Sequence, residues 1–311
     1  MLYSIIALVF GFVGLIFSAD KFSNSGAKIG SIFKISPIVI GLVVFGFGTS
    51  APEILVSGFA ASSSNNGVGV GNAIGSNIFN IALVLAISSV IAKVPLTKEI
   101  FKKEYLFLLI LTFSLGFILF DNYLSFIEGV FLLLILFLFL YIIFKTAKDS
   151  LLEVAEEFTD NESKSKIWLA LFFSLIVLLI SAKLVVYGAI NIAQDFGVSE
   201  LIIGLTIVSF GTSLPELALA IASTIKKQHQ MLIGNILGSN IFNSTAVLAV
   251  VALINPGKID PDIFNRDYLF VLLLTILIFV LAYRKSKKYA INIYGGLILL
   301  SILVYYLYSL I

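Results

Sequence analysis

Ten apolar runs, each long enough to cross a hydrocarbon layer as a helix, dominate the chain and leave little room for any other fold. A layer ~30 Å thick is spanned by ~20 helical residues. The runs lie approximately at 2–30, 37–60, 68–92, 104–120 and 124–144, then, after an acidic stretch at 149–162, at 167–193, 200–224, 231–254, 267–283 and 290–310. Backbone groups inside lipid must be satisfied within their own segment, so each run reads as a helix. The composition agrees. Hydrophobic residues make up 59% and charged residues 12%, against ~45–50% and ~25% in a soluble domain. The expected class is an all-α integral membrane protein of ten transmembrane helices.

The same composition excludes whole classes of chemistry. Without cysteine there is no thiolate for a zinc or copper centre. His229 is the single histidine and falls in a connection expected in the cytoplasm, so hydrolysis by a nucleophile and base, or by an open metal, has almost no material. The chain is not expected to be an enzyme, and no cofactor is expected. Net charge is +2 with the basic residues at span ends, which leaves no basic face for nucleic acid. The first run has no basic n-region and reads as a span, not a cleavable leader.

Basic residues also orient the spans. Connections after odd-numbered spans hold 15 Lys and Arg, among them Lys93, Lys98, Lys102 and Lys103, whereas the opposite side has only Lys258 and Arg266. The positive-inside rule then puts both termini outside and the acidic linker 149–166 in the cytoplasm of a cell-membrane protein. Expected units are a first five-span repeat at 1–148, that linker, and a second, inverted five-span repeat at 167–311.

The word repeat rests on a fixed offset. Gly41, Phe47, Gly48, Thr49, Ser50, Pro52 and Glu53 recur 163 residues later as Gly204, Phe210, Gly211, Thr212, Ser213, Pro215 and Glu216. The same offset carries Gly71, Asn72, Gly75, Ser76, Asn77 and Asn80 onto Gly234, Asn235, Gly238, Ser239, Asn240 and Asn243. Five spans separate equivalent points. Five is odd, so the second copy enters the membrane from the opposite face, an arrangement that many secondary transporters share. Shared packing would account for the glycines. It does not account for a glutamate in each copy.

Both glutamates fall near mid-depth, where an acidic side chain costs ~2.5–3.5 kcal/mol on insertion scales and marks a functional site by default. Pro52 and Pro215 cannot donate a helical hydrogen bond, which frees the carbonyls of Gly48 and Gly211. Spans two and seven are therefore expected to be broken helices. Around the carboxylates the polar side chains are hydroxyls and amides, without Lys, Arg, His or Cys. Such a set suits hard cations. A charge of −2 is balanced by one Ca²⁺ or by two Na⁺, and moving two bare carboxylates through a dry state would cost several kcal/mol each. Obligatory exchange follows as the expectation. Protonation removes the same charge, so an H⁺/Ca²⁺ antiporter of the same fold is the alternative; a gated channel fits an inverted repeat less well.

The paired segments Gly48-Thr49-Ser50-Ala51-Pro52-Glu53 with Gly71–Asn80, and Gly211–Glu216 with Gly234–Asn243, resemble the two alpha-repeats of sodium/calcium exchangers in the calcium/cation antiporter superfamily. The resemblance implies Ca²⁺ exchanged for Na⁺ by alternating access, with these ions and the lipid bilayer as partners and a monomer as the expected unit. It makes Glu53 and Glu216 the central calcium ligands, helped by the carbonyls of Thr49 and Thr212. Ser50, Ser76, Ser213 and Ser239, with carbonyls of Gly46 and Ser209, would complete flanking sodium sites, and Asn80 and Asn243 would line the middle one. Some relatives carry aspartate where Asn243 stands, so this site is one negative charge poorer and is similar to that of potassium-independent exchangers. The large cytoplasmic sensing domains of animal exchangers have no room here. Spans one and six resemble the family's sliding gate helices, with Asp20 and Lys183 at matching positions read as interfacial.

Overall fold

The computed structural model describes residues 1–149, 163–197, 209–283 and 289–310. The helices are α1 (Leu2–Ile32), α2 (Pro37–Ser62), α3 (Asn66–Ile91), α4 (98–119), α5 (Phe126–Asp149), α6 (Lys164–Asp195), α7 (Ser209–Thr212), α8 (Leu214–Ile225), α9 (His229–Ile254), α10 (Ile263–Ala282) and α11 (Ile293–Ser309). Among the described residues, α1, α2, α3, α5, α6, α9 and α10 are long and apolar enough to cross a membrane, and α8 and α11 are apolar but shorter. The seventh expected span is described only from Ser209 onward. Most of the linker 149–166, the repeat position Gly204 and the basic residues 284–288 lie outside the described residues.

Helix starts follow local capping chemistry. Ser125 and Glu128 form a capping box at α5: the Ser125 amide donates to Glu128 Oε2 at 2.7 Å, and the Glu128 amide donates to Ser125 Oγ at 3.2 Å. Thr97 accepts from the Ile100 amide at 3.3 Å and starts α4 six residues before its apolar run. Asn292 accepts from the Gly295 amide at 3.2 Å and starts α11. His229, expected in a connection, is instead the first residue of α9.

Two features have no local sequence signal. Wide π-type turns run through Ile40–Phe45, Asn80–Leu85, Phe101–Tyr105, Asn243–Val247 and Ile263–Tyr268. The second and fourth, and the third and fifth, coincide at the 163-residue offset. Two short antiparallel ribbons join connections distant in sequence. β1 (Val94–Leu96) pairs with β4 (Tyr289–Ile291), and β2 (Tyr123–Leu124) with β3 (Gly257–Lys258). The first ribbon ties the α3–α4 connection to α10–α11, and the second ties α4–α5 to α9–α10. Moving β1 by 163 residues lands it on β3.

Burial separates an inner set from an outer one. The most apolar window of α9 is 89% buried and that of α3 78%, against 33% for α1 and for α6. Helices α1 and α6 run antiparallel, close-packed where Gly14 meets Ser181 and Gly188 meets Ser4 and Leu8. Inside, α2 and α9 run parallel and nearly touch. A Cβ on Gly41 would stand 2.8 Å from Gly234 Cα, and one on Gly46 would stand 2.9 Å from the backbone of Gly238. Glycine is required at this seam because any side chain would meet backbone.

The expected break in span two is corrected. Helical structure continues from Gly46 to Ser62 with Pro52 inside it. Packing against α9 holds the backbone helical although the Pro52 ring removes one ladder bond. The break in span seven is present: Ser213 leaves the helix at φ −88°, ψ 4°, between α7 and α8.

Candidate cation site between two glutamates

Four elements deliver the polar residues. α2 carries Gly46, Thr49, Ser50 and Glu53, and α3 carries Ser76 and Asn80. Thr212 ends α7, Ser213 is the junction, Glu216 lies in the first turn of α8, and Ser239 and Asn243 lie on α9. Asn80 and Asn243 each open a π-type turn, a feature common at functional sites. Glu53 is 0% and Glu216 1% exposed; Thr49, Ser50, Ser76, Asn80, Ser213, Ser239 and Asn243 are buried as well. Thr212 is half-buried, and Ser209 begins α7.

Hydrogen bonds knit the α2–α9 side. Thr49 Oγ1 donates to Phe45 O at 3.0 Å and stands 3.4 Å from Asn235 Oδ1 and 3.3 Å from Ser239 Oγ. Ser239 Oγ in turn reaches Gly46 O at 3.5 Å. Asn80 Nδ2 donates to Asn240 Oδ1 at 3.1 Å, linking α3 to α9. On α3, Asn72 Nδ2 donates to Ser57 Oγ at 3.0 Å and to Glu53 O at 3.3 Å. These bonds fix backbone and neighbours and leave the carboxylates alone.

The carboxylates themselves are the anomaly. Glu53 lies beside Ser76, Glu216 lies beside Thr49, and Glu53 is close enough to Glu216 to feel its charge. Yet neither oxygen of either carboxylate has a hydrogen bond of ordinary geometry, and Ser50 Oγ, Ser213 Oγ, Asn80 Oδ1 and Asn243 Oδ1 share that condition. A buried polar atom without a partner costs ~1–3 kcal/mol, more when charged. These eight buried oxygens, from α2, α3, the α7–α8 junction, α8 and α9, match in number and type what a hard cation takes, six to eight oxygens from carboxylates, carbonyls and hydroxyls. Among the described residues no group of three His, Cys, Asp or Glu could hold a metal, so any cation here meets two formal charges and otherwise neutral oxygens.

All the expected side chains on α2, α3, α8 and α9 are thus buried together with Ser213. The role of Ser209 rests on a carbonyl at the edge of the described residues. Three residues that the sequence places in the repeat without a ligand role, Asn72, Asn235 and Asn240, hold their neighbours in position. Their signal was present, since 72/235 and 77/240 are identical pairs at the same offset as the glutamates.

Comparison with known proteins places these observations. The sodium/calcium exchanger protein family model matches residues 3–145 and 166–311. The inner membrane protein YrbG of Escherichia coli is 34% identical across 99% of this chain and 98% of its own length. Membrane protein MJ0091 of Methanocaldococcus jannaschii is 38% identical across 78% of this chain and 79% of its own. A solved structure of the sodium-calcium exchanger NCX_Mj, soaked with 2.5 mM Na⁺ and 0.1 mM Ca²⁺, superposes with TM-score 0.86 at 31% identity, covering 99% of this chain and 98% of that one.

Proposed function

This chain belongs to the sodium/calcium exchanger family, and from that premise we propose that it exchanges Ca²⁺ for Na⁺ by alternating access around Glu53 and Glu216. The observation that carries the reading is the pair of buried carboxylates without hydrogen bonds, ringed by neutral oxygens. One Ca²⁺ or two Na⁺ would cancel their charge. Ions that cancel the same charge on the same ligands exclude one another, and that exclusion couples their gradients.

Glu53 and Glu216 are assigned as the shared calcium ligands with Thr49 and Thr212. Ser50, Ser76, Ser213 and Ser239 with the carbonyls of Gly46 and Ser209 serve the sodium sites, and Asn80 and Asn243 act through their amide oxygens at the centre. The bonds from Thr49 to Ser239 and from Ser239 to Gly46 support one continuous site.

The chain is organised as two inverted five-helix repeats, 1–148 and 167–311, joined by the linker 149–166, with both termini outside. Support comes from the ribbons. Each one joins connections of like parity, and the offset carries β1 of one ribbon onto β3 of the other, as an axis in the membrane plane requires.

The test is radiolabelled Ca²⁺ uptake into vesicles holding Na⁺, with voltage and pH clamped. Uptake should follow an outward Na⁺ gradient. Uptake that ignores Na⁺ and follows a pH gradient in sodium-free buffer would replace the sodium reading by the proton one.

A further inference from the structure

Four buried amides beside the site are paired across the repeat but bonded in one half only. Asn77 and Asn80 on α3 become Asn240 and Asn243 on α9 at the 163-residue offset. In one half the bond is made: Asn80 Nδ2 donates to Asn240 Oδ1 at 3.1 Å. Its equivalent would run from Asn243 Nδ2 to Asn77 Oδ1. Among the described residues that bond is absent, since Asn243 has no partner at either side-chain atom and Asn77 Oδ1 has none. The cause lies one residue further on. Asn77 Nδ2 donates to Ser244 Oγ at 2.8 Å, which turns the nitrogen end of the amide toward the turn carrying Asn243 and the oxygen end away from it. The offset equivalent of Ser244 is Ile81, which has no hydroxyl, so nothing at that position diverts Asn240 in the same way.

We infer that Asn240 is a positioning residue for cation binding: by taking the Asn80 nitrogen it commits the Asn80 oxygen to the ion, while Ser244 keeps Asn77 from doing the same for Asn243. An amide side chain accepts at one end and donates at the other. A cation is drawn to the first and repelled by the second. Asn80 Oδ1 has no other partner among the described residues, and Asn80 lies one turn beyond Ser76, which is beside Glu53. Asn240 Nδ2 is without a partner too, so its oxygen is the end in use. Helix α3 therefore supplies a fixed oxygen and α9 an amide free to turn. The attraction between an ion and a fixed partial charge grows with the charge of the ion, so a divalent ion gains twice what a monovalent one does. Asn240 thereby favours Ca²⁺ over Na⁺. The inference rests on the reading that this site takes those two ions.

The experiment is Ca²⁺ titration of the purified full chain, repeated with Na⁺ as competitor. Asn240→Leu should weaken Ca²⁺ binding roughly tenfold, the loss of one buried hydrogen bond that holds a ligand. Na⁺ should weaken only about threefold, the square root of that factor. An Asn80→Asp background separates positioning from folding. Aspartate presents an oxygen whichever way it turns, so Asn240→Leu should there change Ca²⁺ affinity by no more than about twofold. Ser244→Ala releases Asn77 and should tighten Ca²⁺ binding about threefold; this milder change keeps the inference testable where Asn240→Leu does not fold. Equal losses in the two backgrounds, equal losses for the two ions, or a Ser244→Ala protein that binds Ca²⁺ no better than wild type would overturn the inference alone. A wild-type protein that binds no Ca²⁺ would overturn the exchange reading along with it.

Discussion

The two glutamates lie at equivalent positions of a sequence repeat, yet their helices are built differently. Glu53 sits one residue after a proline inside a continuous helix that is sealed along one side by the glycine seam to α9. Glu216 sits one residue after a proline in the first turn of α8, just beyond the interruption at Ser213. Closely similar local sequences, Ala51 against Leu214 being the one difference from Gly48 to Glu53, give two backbones because tertiary packing decides whether a missing ladder bond becomes a break. A proline embedded in a helix weakens it, whereas a proline in the first turn replaces a donor that would be orphaned anyway. The lesson is that the site pairs a rigid wall with a jointed one.

The largest expected effect treats the two walls alike. Glu53→Gln and Glu216→Gln should each lower Ca²⁺ affinity about 100-fold or more, since removing one partner of a buried charge set costs ~2–5 kcal/mol. Calcium titration of the purified variants checks this, and a loss confined to one glutamate would break the equivalence.

Proline replacement should then separate the walls by sign. Pro52→Ala restores a ladder donor in a continuous helix and should raise stability by up to ~3 kcal/mol. Pro215→Ala removes a residue suited to its first-turn position and should lower stability by ~0.4–1 kcal/mol through the unfolded chain. Thermal unfolding in detergent reads both, and shifts of the same sign would contradict the contrast. Next in size, Gly41→Ala drives a methyl against the backbone of α9 and should destabilise by ~1–3 kcal/mol. A neutral result would mean that the first wall is looser than its geometry.

A second asymmetry separates α1 from its repeat equivalent α6 and should have the smallest effect. On the C-terminal half of α1, Lys226 Nζ reaches Asp20 Oδ1 at 2.6 Å, Asp20 O at 2.8 Å and Asn24 Oδ1 at 2.7 Å. The repeat equivalents of Asp20 and Lys226 are Lys183 and Ser63, which cannot form that ion pair. A partly exposed pair contributes ~0–1 kcal/mol, so, on the alternating access proposed above, Asp20→Asn should shift the balance between the two access states by at most about fivefold. The chain has no cysteine, so a single introduced thiol reports accessibility without background.

Much of this was legible in the sequence because membrane helices and a fixed-offset repeat leave plain traces. The spans fell within a few residues of α1, α2, α3, α6 and α9, and the polar stripe of the site could be read from Glu53, Ser76, Asn80 and their equivalents. Helix α4 was placed too late because Lys98, Glu99, Lys102 and Lys103 mask its first turns from hydropathy, although Thr97 caps it. The ribbons were invisible, since strands of two or three residues with partners far away have no period to detect. Lys103-Glu104-Tyr105 and Arg266-Asp267-Tyr268 extend the repeat onto paired π-type turns, but two of the three positions match by charge alone and only the tyrosine by identity, so a search for runs of identical residues passes over them. Reading Asp20 as merely interfacial missed its ion pair with Lys226, a contact set by tertiary structure alone.

The central claim is that one pair of carboxylates is neutralised by either ion. Equilibrium Ca²⁺ binding to the purified wild-type protein, repeated across a series of Na⁺ concentrations, tests it most directly. Calcium affinity should fall steeply and competitively as Na⁺ rises, reaching full displacement. Calcium binding indifferent to Na⁺ would contradict a shared site between Glu53 and Glu216.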